Sequence, residues 1–375
     1  MMKKIPIFIT LIAFAFLSFA KATIDNENKP LDPSFEQKHK QKKILNPKKE
    51  KNVQGEKSDL RYLFSASFIY WQALTYDTYY AITRDYTTNG DRMPMQDHKL
   101  FADFDYDYHP GFKVGFGLFS FHDLWDIYLE YTRYYMSEKD SYVNNDPLID
   151  LLTSWDPNDS LDNLEEIPFA QWKLMMNILD FALGRPYNIG TKLTLKPFIG
   201  TKAYWNYQRL NTFINDRYRR HYFNKSNAWG IGSRAGIQTK WLLGKGWRVF
   251  SDYAFSLNYQ HYNMQRYAYK AVDINDPDEV GKAYVNQRDS RGCVIPIAEM
   301  ILGFGWENYF DNDKYHIDIF AGYEFQVWWN QNVLMAYMKS DVLHSVVAIS
   351  PPTQSPFNPT TLMLHGLTVT MKFDF

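Results

Sequence analysis

A single cysteine, Cys293, is all the thiol chemistry in 375 residues, so no intramolecular disulfide framework can form. In an oxidising compartment such a thiol either cross-links two chains or sits unreactive in a loop or at a strand end, and the sequence leaves both open. A charge of one sign is missing too. The 41 Lys and Arg against 42 Asp and Glu leave a net charge of -1, without the overall positive bias that would point to nucleic acid. Long hydrophobic runs are scarce. Beyond residue 20 no apolar stretch approaches the roughly 20 residues a helix needs to cross a bilayer, and the mean hydropathy is -0.44. Helical membrane insertion is excluded on that ground. There is no GxSxG, HExxH or CxxC, and the nine histidines show no metal-ligand spacing. GIGSRAG at 230–236 lacks the Gly-Lys-Ser/Thr ending of a phosphate loop, and its glycines better suit a crowded barrel interior. No catalytic set, cofactor or metal is expected.

What is present in excess is aromatic: 28 Tyr, 27 Phe and 11 Trp, or 18% of the chain. Barrels embedded in lipid gather aromatics in two interfacial girdles, while a polar lumen keeps their average hydropathy low. The first residues point to export. Met1 to Lys4 are positive, Ile5 to Ala20 apolar, and Ala20-Lys21-Ala22 has the small–x–small pattern of a signal-peptidase site. A cleaved signal peptide is expected over 1–22. Residues 23–59, dense in lysine from Lys38 to Lys51, have too few apolar groups to form a core. They are expected to be a disordered periplasmic segment, read as a solvated linker in preference to a tether for acidic envelope polymers.

From residue 60 the pattern has period two. Trp125, Ile127, Leu129 and Tyr131 alternate with Asp126, Tyr128, Glu130 and Thr132. Segments 192–206, 228–240 and 316–329 do the same, as strands with one face to lipid and one to water must. Short turn signals at His122-Asp123, 186–190, Gly244-Lys245-Gly246 and 311–313 alternate with longer polar segments near 77–98, 137–168, 208–225, 270–290 and 331–360. The expected fold over 60–375 is all-β, a transmembrane antiparallel β-barrel with long extracellular loops and short periplasmic turns. It has about ten strands, near 61–75, 100–121, 124–136, 170–185, 191–206, 226–243, 247–262, 294–309, 315–330 and 362–375. Twelve is allowed if 77–98 and 137–168 hide another hairpin. Leu367, Val369, Met371, Phe373 and Phe375 alternate with polar residues to the last position. Phe373 and Phe375 resemble the terminal signal read by the outer-membrane barrel-assembly machinery.

Several strand segments also carry a family likeness. HPGFKVGFG at 109–117, HDLWDIYLEYT at 122–132, WKLMMNILDFALGR at 172–185, LTLKPFIGTKAYW at 193–205, WGIGSRAGIQTKW at 229–241, GYEFQVWWNQN at 322–332 and GLTVTMKFDF at 366–375 keep one order along nearly all of 60–375. In that order the chain resembles the porin-like major outer-membrane protein family of Chlamydia-like bacteria and, more weakly, the Legionella major outer-membrane protein. The resemblance implies a porin. Chlamydial major proteins cross-link through many cysteines, and a single Cys293 departs from that pattern.

The expected location is the outer membrane, with lipid and the assembly machinery as partners, no nucleic acid, and a homo-oligomer allowed. Alternation assigns to the lumen Lys113, Asp126, Glu130, Lys173, Lys196, Lys202, Arg234, Lys240, Arg248, Asp252, Glu299, Glu307, Asp318, Glu324 and Lys372. Both signs are present, which fits a weakly selective pore for passive diffusion of small hydrophilic solutes. The same charges could instead pair across strands and fill a narrow lumen. A second function class is then a closed barrel acting through its loops as adhesin or surface antigen. A third is a surface hydrolase or divalent-ion site built on Asp103, Asp105, Asp107 and His109, whose i, i+2 spacing places them on one strand face. Solvated acidic strand tops explain that cluster equally well. Trp328 and Trp329 are read as interface anchors.

Overall fold

A computed structural model describes residues 60–75, 80–85, 101–102, 104–120, 125–143, 149–153, 166–215, 218–273, 282–311, 315–332 and 360–375. The expected signal peptide and lysine-rich segment lie outside the described residues. Fourteen strands are defined: β1 (Leu60–Thr75), β2 (Ala81–Asp85), β3 (Phe101–Ala102), β4 (Tyr108–Ser120), β5 (Asp126–Val143), β6 (Ile149–Thr153), β7 (Glu166–Gly184), β8 (Tyr187–Ile189), β9 (Leu193–Asn215), β10 (Tyr218–Gly244), β11 (Trp247–Asp273), β12 (Lys282–Phe310), β13 (Tyr315–Asn332) and β14 (Thr360–Asp374).

Ten of them close an antiparallel barrel in the order β1-β4-β5-β7-β9-β10-β11-β12-β13-β14, and β14 returns to β1 with Phe64 opposite Phe373 and Trp71 opposite Gly366. Closure leaves no unpaired edge in the hydrocarbon region, the one arrangement that satisfies a β backbone in lipid. The pieces that might have made twelve strands do not join it. β2, β3 and β6 form a separate three-stranded sheet in the order β3-β2-β6. The strand expected over 100–121 therefore starts only at Tyr108.

Turn chemistry matches local sequence. Gly244 pairs with Trp247 across a two-residue loop in which Lys245 (φ 53°) and Gly246 (φ 83°) are both left-handed, the geometry whose twist fits an antiparallel hairpin. Side chains alternate as period two requires. Outward aromatics gather at two levels: Tyr62, Trp125, Trp241, Trp247 and Tyr315 toward the short turns, and Tyr70, Tyr135, Trp205, Trp229 and Tyr259 toward the long connections. These are the two interfacial girdles of an outer-membrane barrel.

The expected loops 208–225 and 270–290 are largely strand. β9 to β12 hold 23, 27, 27 and 29 residues, against the 9–11 or so that a tilted strand needs to cross the bilayer. Outward residues in their loop-end halves include polar ones, as at Arg209, Lys225 and Asn263, mixed with aromatics such as Phe213, Phe223 and Tyr267. The alternation of lipid against water stops there while the hydrogen-bond ladder continues. The four strands thus rise as a wall beyond the upper girdle.

Candidate functional site

The lumen is the site, and it is built in layers. Many inward residues of the turn-end half are charged, and most of those charges are paired. Lys202 contacts Asp180 at 2.8 Å and Glu299 at 2.5 Å, and Arg234 meets the other oxygen of Glu299 at 2.5 Å and approaches Asp180 at 3.6 Å. Two cations and two carboxylates from β7, β9, β10 and β12 make a neutral quartet. Across from it Lys113 donates to Glu324 at 2.8 Å and lies 3.8 Å from Glu130. Glu324 also accepts from Thr368 and Gln326, and Glu130 from Tyr128. Lower down Lys196 binds Asp126, Lys240 and Arg248 share Glu307, and Arg248 reaches Asp318. Gln238 donates to Asp252, and Lys372 lies over the rings of Tyr128 and Phe320. A cavity of about 230 Å³ lies among these groups, lined by Lys113, Glu130, Lys196, Asp252 and Lys372 among others.

Toward the loops the inner face changes character. Trp71 on β1, Trp172 on β7 and Trp328 on β13 are each 0% exposed. Ile69, Tyr134, Leu174, Met176, Ile178, Tyr204, Ile295, Ile297, Leu362 and Leu364 are buried with them in one cluster. Three polar atoms at its edge are satisfied: Trp71 Nε1 donates to Thr368 Oγ1 at 3.1 Å, Trp328 Nε1 to Gln326 at 3.0 Å, and Tyr134 OH to the Trp71 carbonyl at 2.9 Å, while Trp172 Nε1 is buried without a partner among the described residues. The two layers meet where Lys113 Nζ lies 5.0 Å from the Trp71 ring and Lys202 Nζ 5.6 Å from Trp328. Above, Tyr106 packs edge-on to Trp172 at 5.7 Å, and its carbonyl accepts from Gln72. An apolar septum built mainly from β1, β5, β7, β12, β13 and β14 thus lies between the charged layer and the loop-end mouth, and at its height β9 and β11 add the buried amides of Asn206, Gln208, Asn258 and Gln260.

The glycines of GIGSRAG have a steric role. A Cβ on Gly230 would lie 2.4 Å from the Tyr204 ring, and one on Gly236 would lie 2.5 Å from Phe198. Gly230→Val is expected to cost about 1–3 kcal/mol through overpacking, read as a lower urea midpoint of the folded barrel in detergent; an unchanged midpoint contradicts the packing.

Of the fifteen residues assigned to the lumen, Lys113, Asp126, Glu130, Lys196, Lys202, Arg234, Lys240, Arg248, Asp252, Glu299, Glu307, Asp318, Glu324 and Lys372 point inward. Lys173 does not. The inward parity of β7 belongs to Trp172, Leu174, Met176, Ile178 and Asp180, so Lys173 points outward with Met175, Leu179 and Phe181. Trp328 is a second correction. Adjacent strand residues face opposite ways, so Trp328 builds the septum while Trp329, 38% exposed, faces out.

The acidic cluster is a third. Asp103 lies outside the described residues, Asp105 and Asp107 are exposed on the non-strand segment 104–107, and His109 bonds Glu138 of β5 at 2.7 Å. Glu138 also accepts from the Asp107 amide. Among the described residues no group of His, Cys, Asp and Glu is arranged to hold a metal. Phe373 and Phe375 face outward at the turn end. Phe375 stacks on Phe64, and its backbone exchanges two 3.0 Å hydrogen bonds with Tyr62. Asp180, Glu138, Trp71 and Trp172 were not singled out from sequence. An aspartate inside the apolar run of β7 is the signal for Asp180; for the tryptophans parity is the only one.

No curated protein matches the chain. Among solved structures, similarity extends to the outer membrane protease OmpT from Escherichia coli, at 9% identity and a TM-score of 0.37, covering 84% of this chain and 96% of that one. It extends also to a Pseudomonas aeruginosa FadL homologue (7% identity, TM-score 0.27, 85% and 90% covered) and to the Ralstonia pickettii toluene transporter TbuX (9%, 0.26, 84% and 89%). Across residues 56–375 the chain matches the family model described as Legionella pneumophila major outer membrane protein precursor. A transmembrane barrel and that match place the protein in the outer membrane, and the chain belongs to the Legionella major outer membrane protein family.

Proposed function

We propose that this protein is an outer-membrane barrel closed at rest, which acts at the cell surface through its loop end and not by steady passive flux. One observation carries the reading: three tryptophans from β1, β7 and β13, each 0% exposed, sit in one buried apolar cluster across the lumen. An open diffusion pore keeps a continuous wetted path, and its lining side chains touch water. Here most of the charges that would line such a path are held by one another, as between Lys202, Arg234, Asp180 and Glu299. The surface left for interaction outside the cell is the loop end, where β9 to β12 stand above the girdle. No step of the reading is catalytic.

A second reading, gated passage of small polar solutes, draws on the cavity of about 230 Å³ beneath the septum, whose wall carries both signs of charge. It keeps the porin-like role that the likeness to chlamydial proteins implies, with the septum as gate.

The test is conductance of the folded protein in a planar bilayer. Silence at every applied voltage is expected. Steps that appear only above a threshold voltage favour the gate. Steady open steps at low voltage overturn closure and restore the passive porin.

A further inference from the structure

We propose that the outer face of β7, β9, β10 and β12, just above the loop-side aromatic girdle, binds the phosphate groups of an outer-leaflet lipid. Cross-strand register carries the argument. Lys173 pairs with Arg209, Arg209 with Lys225, Lys225 with Gln265, and Gln265 with Arg288. One transverse row therefore holds four cations, three of them on directly adjacent strands. All four face out, with Arg209 and Arg288 exposed and Lys173 and Lys225 half-buried.

Like charges placed directly opposite on neighbouring strands repel. The lumen of this protein relieves such crowding with carboxylates. On this row, among the described residues, none of the four side chains has a hydrogen bond or an ion pair. The nearby acid, Asp289, is held by Arg291 at 2.7 Å. A row of cations held together on neighbouring strands favours an anion that contacts several of them at once.

Depth identifies the anion. Four residues further toward the membrane on β9 and β10, Trp205 pairs with Trp229 in the girdle that marks the edge of the hydrocarbon. A tilted strand rises about 3.3 Å per residue, so the row stands roughly 10 Å above those rings, at the level of lipid headgroups. The intervening row is uncharged and hydrogen-bonding: Tyr207 opposite Asn227, Asn227 opposite Asn263 and Asn263 opposite Ser290. A groove of about 430 Å³ runs past Lys225, Asn227, Asn263, Arg288 and Ser290. Aromatics at the acyl boundary, amides and hydroxyls next, and guanidinium and ammonium groups above match, in order, the chains, sugar or glycerol, and phosphates of a phosphorylated lipid.

The experiment measures binding of diphosphorylated lipid A to the full-length protein in neutral detergent, by native mass spectrometry. A variant carrying Lys173→Gln, Arg209→Gln, Lys225→Gln and Arg288→Gln is compared with one carrying Lys192→Gln and Lys245→Gln at the opposite rim. The four-site variant is expected to bind at least about tenfold more weakly, since it loses every charge-assisted contact to phosphate on the row, while the rim variant binds as the natural chain does. Raising salt should weaken the natural complex. Equal binding by the four-site variant overturns the proposal, as does equal binding of lipid A with its phosphates removed. Full competition by millimolar inorganic phosphate would mark a free-anion site and overturn the lipid assignment. Should the four-site variant fail to fold, Arg209→Gln with Lys225→Gln is the reduced test, with the same outcomes.

Discussion

Replacing Trp71, Trp172 and Trp328 together by Ala is expected to turn a silent barrel into a conducting one. The three indoles are wholly buried and come from three strands, with β14 alone between β13 and β1 and with β4 and β5 between β1 and β7, so their loss opens the septum along the β13-to-β7 side of the wall. Below them the cavity of about 230 Å³ already exists, and removal of the rings joins it to the loop-end mouth. Lys113 and Lys202, which lie under Trp71 and Trp328, then face water from above. Truncating one buried Trp costs about 3–5 kcal/mol in a packed core, so the variant must first be shown to fold, by its mobility on a gel before and after boiling. Discrete steps from folded protein would place the closure at the septum. If the folded triple variant stays silent, the block lies in the charged layer beneath, and the septum is core packing with no bearing on flux.

That the septum had to be found in three dimensions follows from what period-two reading can detect. On β5 and β13 the lipid face is apolar and the inner face polar, so Asp126, Glu130 and Glu324 announce their direction. On β7 both faces are apolar: Met175, Leu179 and Phe181 meet lipid while Trp172, Leu174 and Met176 meet one another. With no contrast between faces, a lone Lys173 looks like a lumen charge, though it belongs to the outer surface. Trp328 misleads in the converse way, since an interfacial girdle and a septum both favour Trp. The strand number was legible because ten segments cross lipid with contrast. The height of β9 to β12 was not, because outside the membrane both faces are wet and alternation carries no signal while the backbone ladder goes on. The layer order of the lumen depends on which strand height meets which, and that is a matter of register around the closed wall.

The second large effect concerns the quartet. Lys202→Met is expected to lower the stability of the folded barrel by about 3–5 kcal/mol, the cost of removing one partner from a buried ion pair. Lys202 is 1% exposed and joins Asp180 to Glu299, whose side chains are 12% and 11% exposed. Without the ammonium, Arg234 alone must serve two carboxylates, and its nearest nitrogen is 3.6 Å from Asp180. The mutant carboxylates either stay charged without a full partner or take up protons, and both cost free energy. A companion variant separates charge from packing. Lys202→Met with Asp180→Asn leaves Arg234 and Glu299 as a matched pair, and replacing a buried pair by neutral groups of similar size is often near neutral. Urea midpoints in one detergent should therefore show a large loss for the single variant and recovery of most of it in the double. If the double variant is as unstable as the single, the Lys202 stem acts through its packing against Trp328 and not through its charge. If the single variant is as stable as the natural chain, water reaches the quartet freely, and a wetted path through the charged layer is already open.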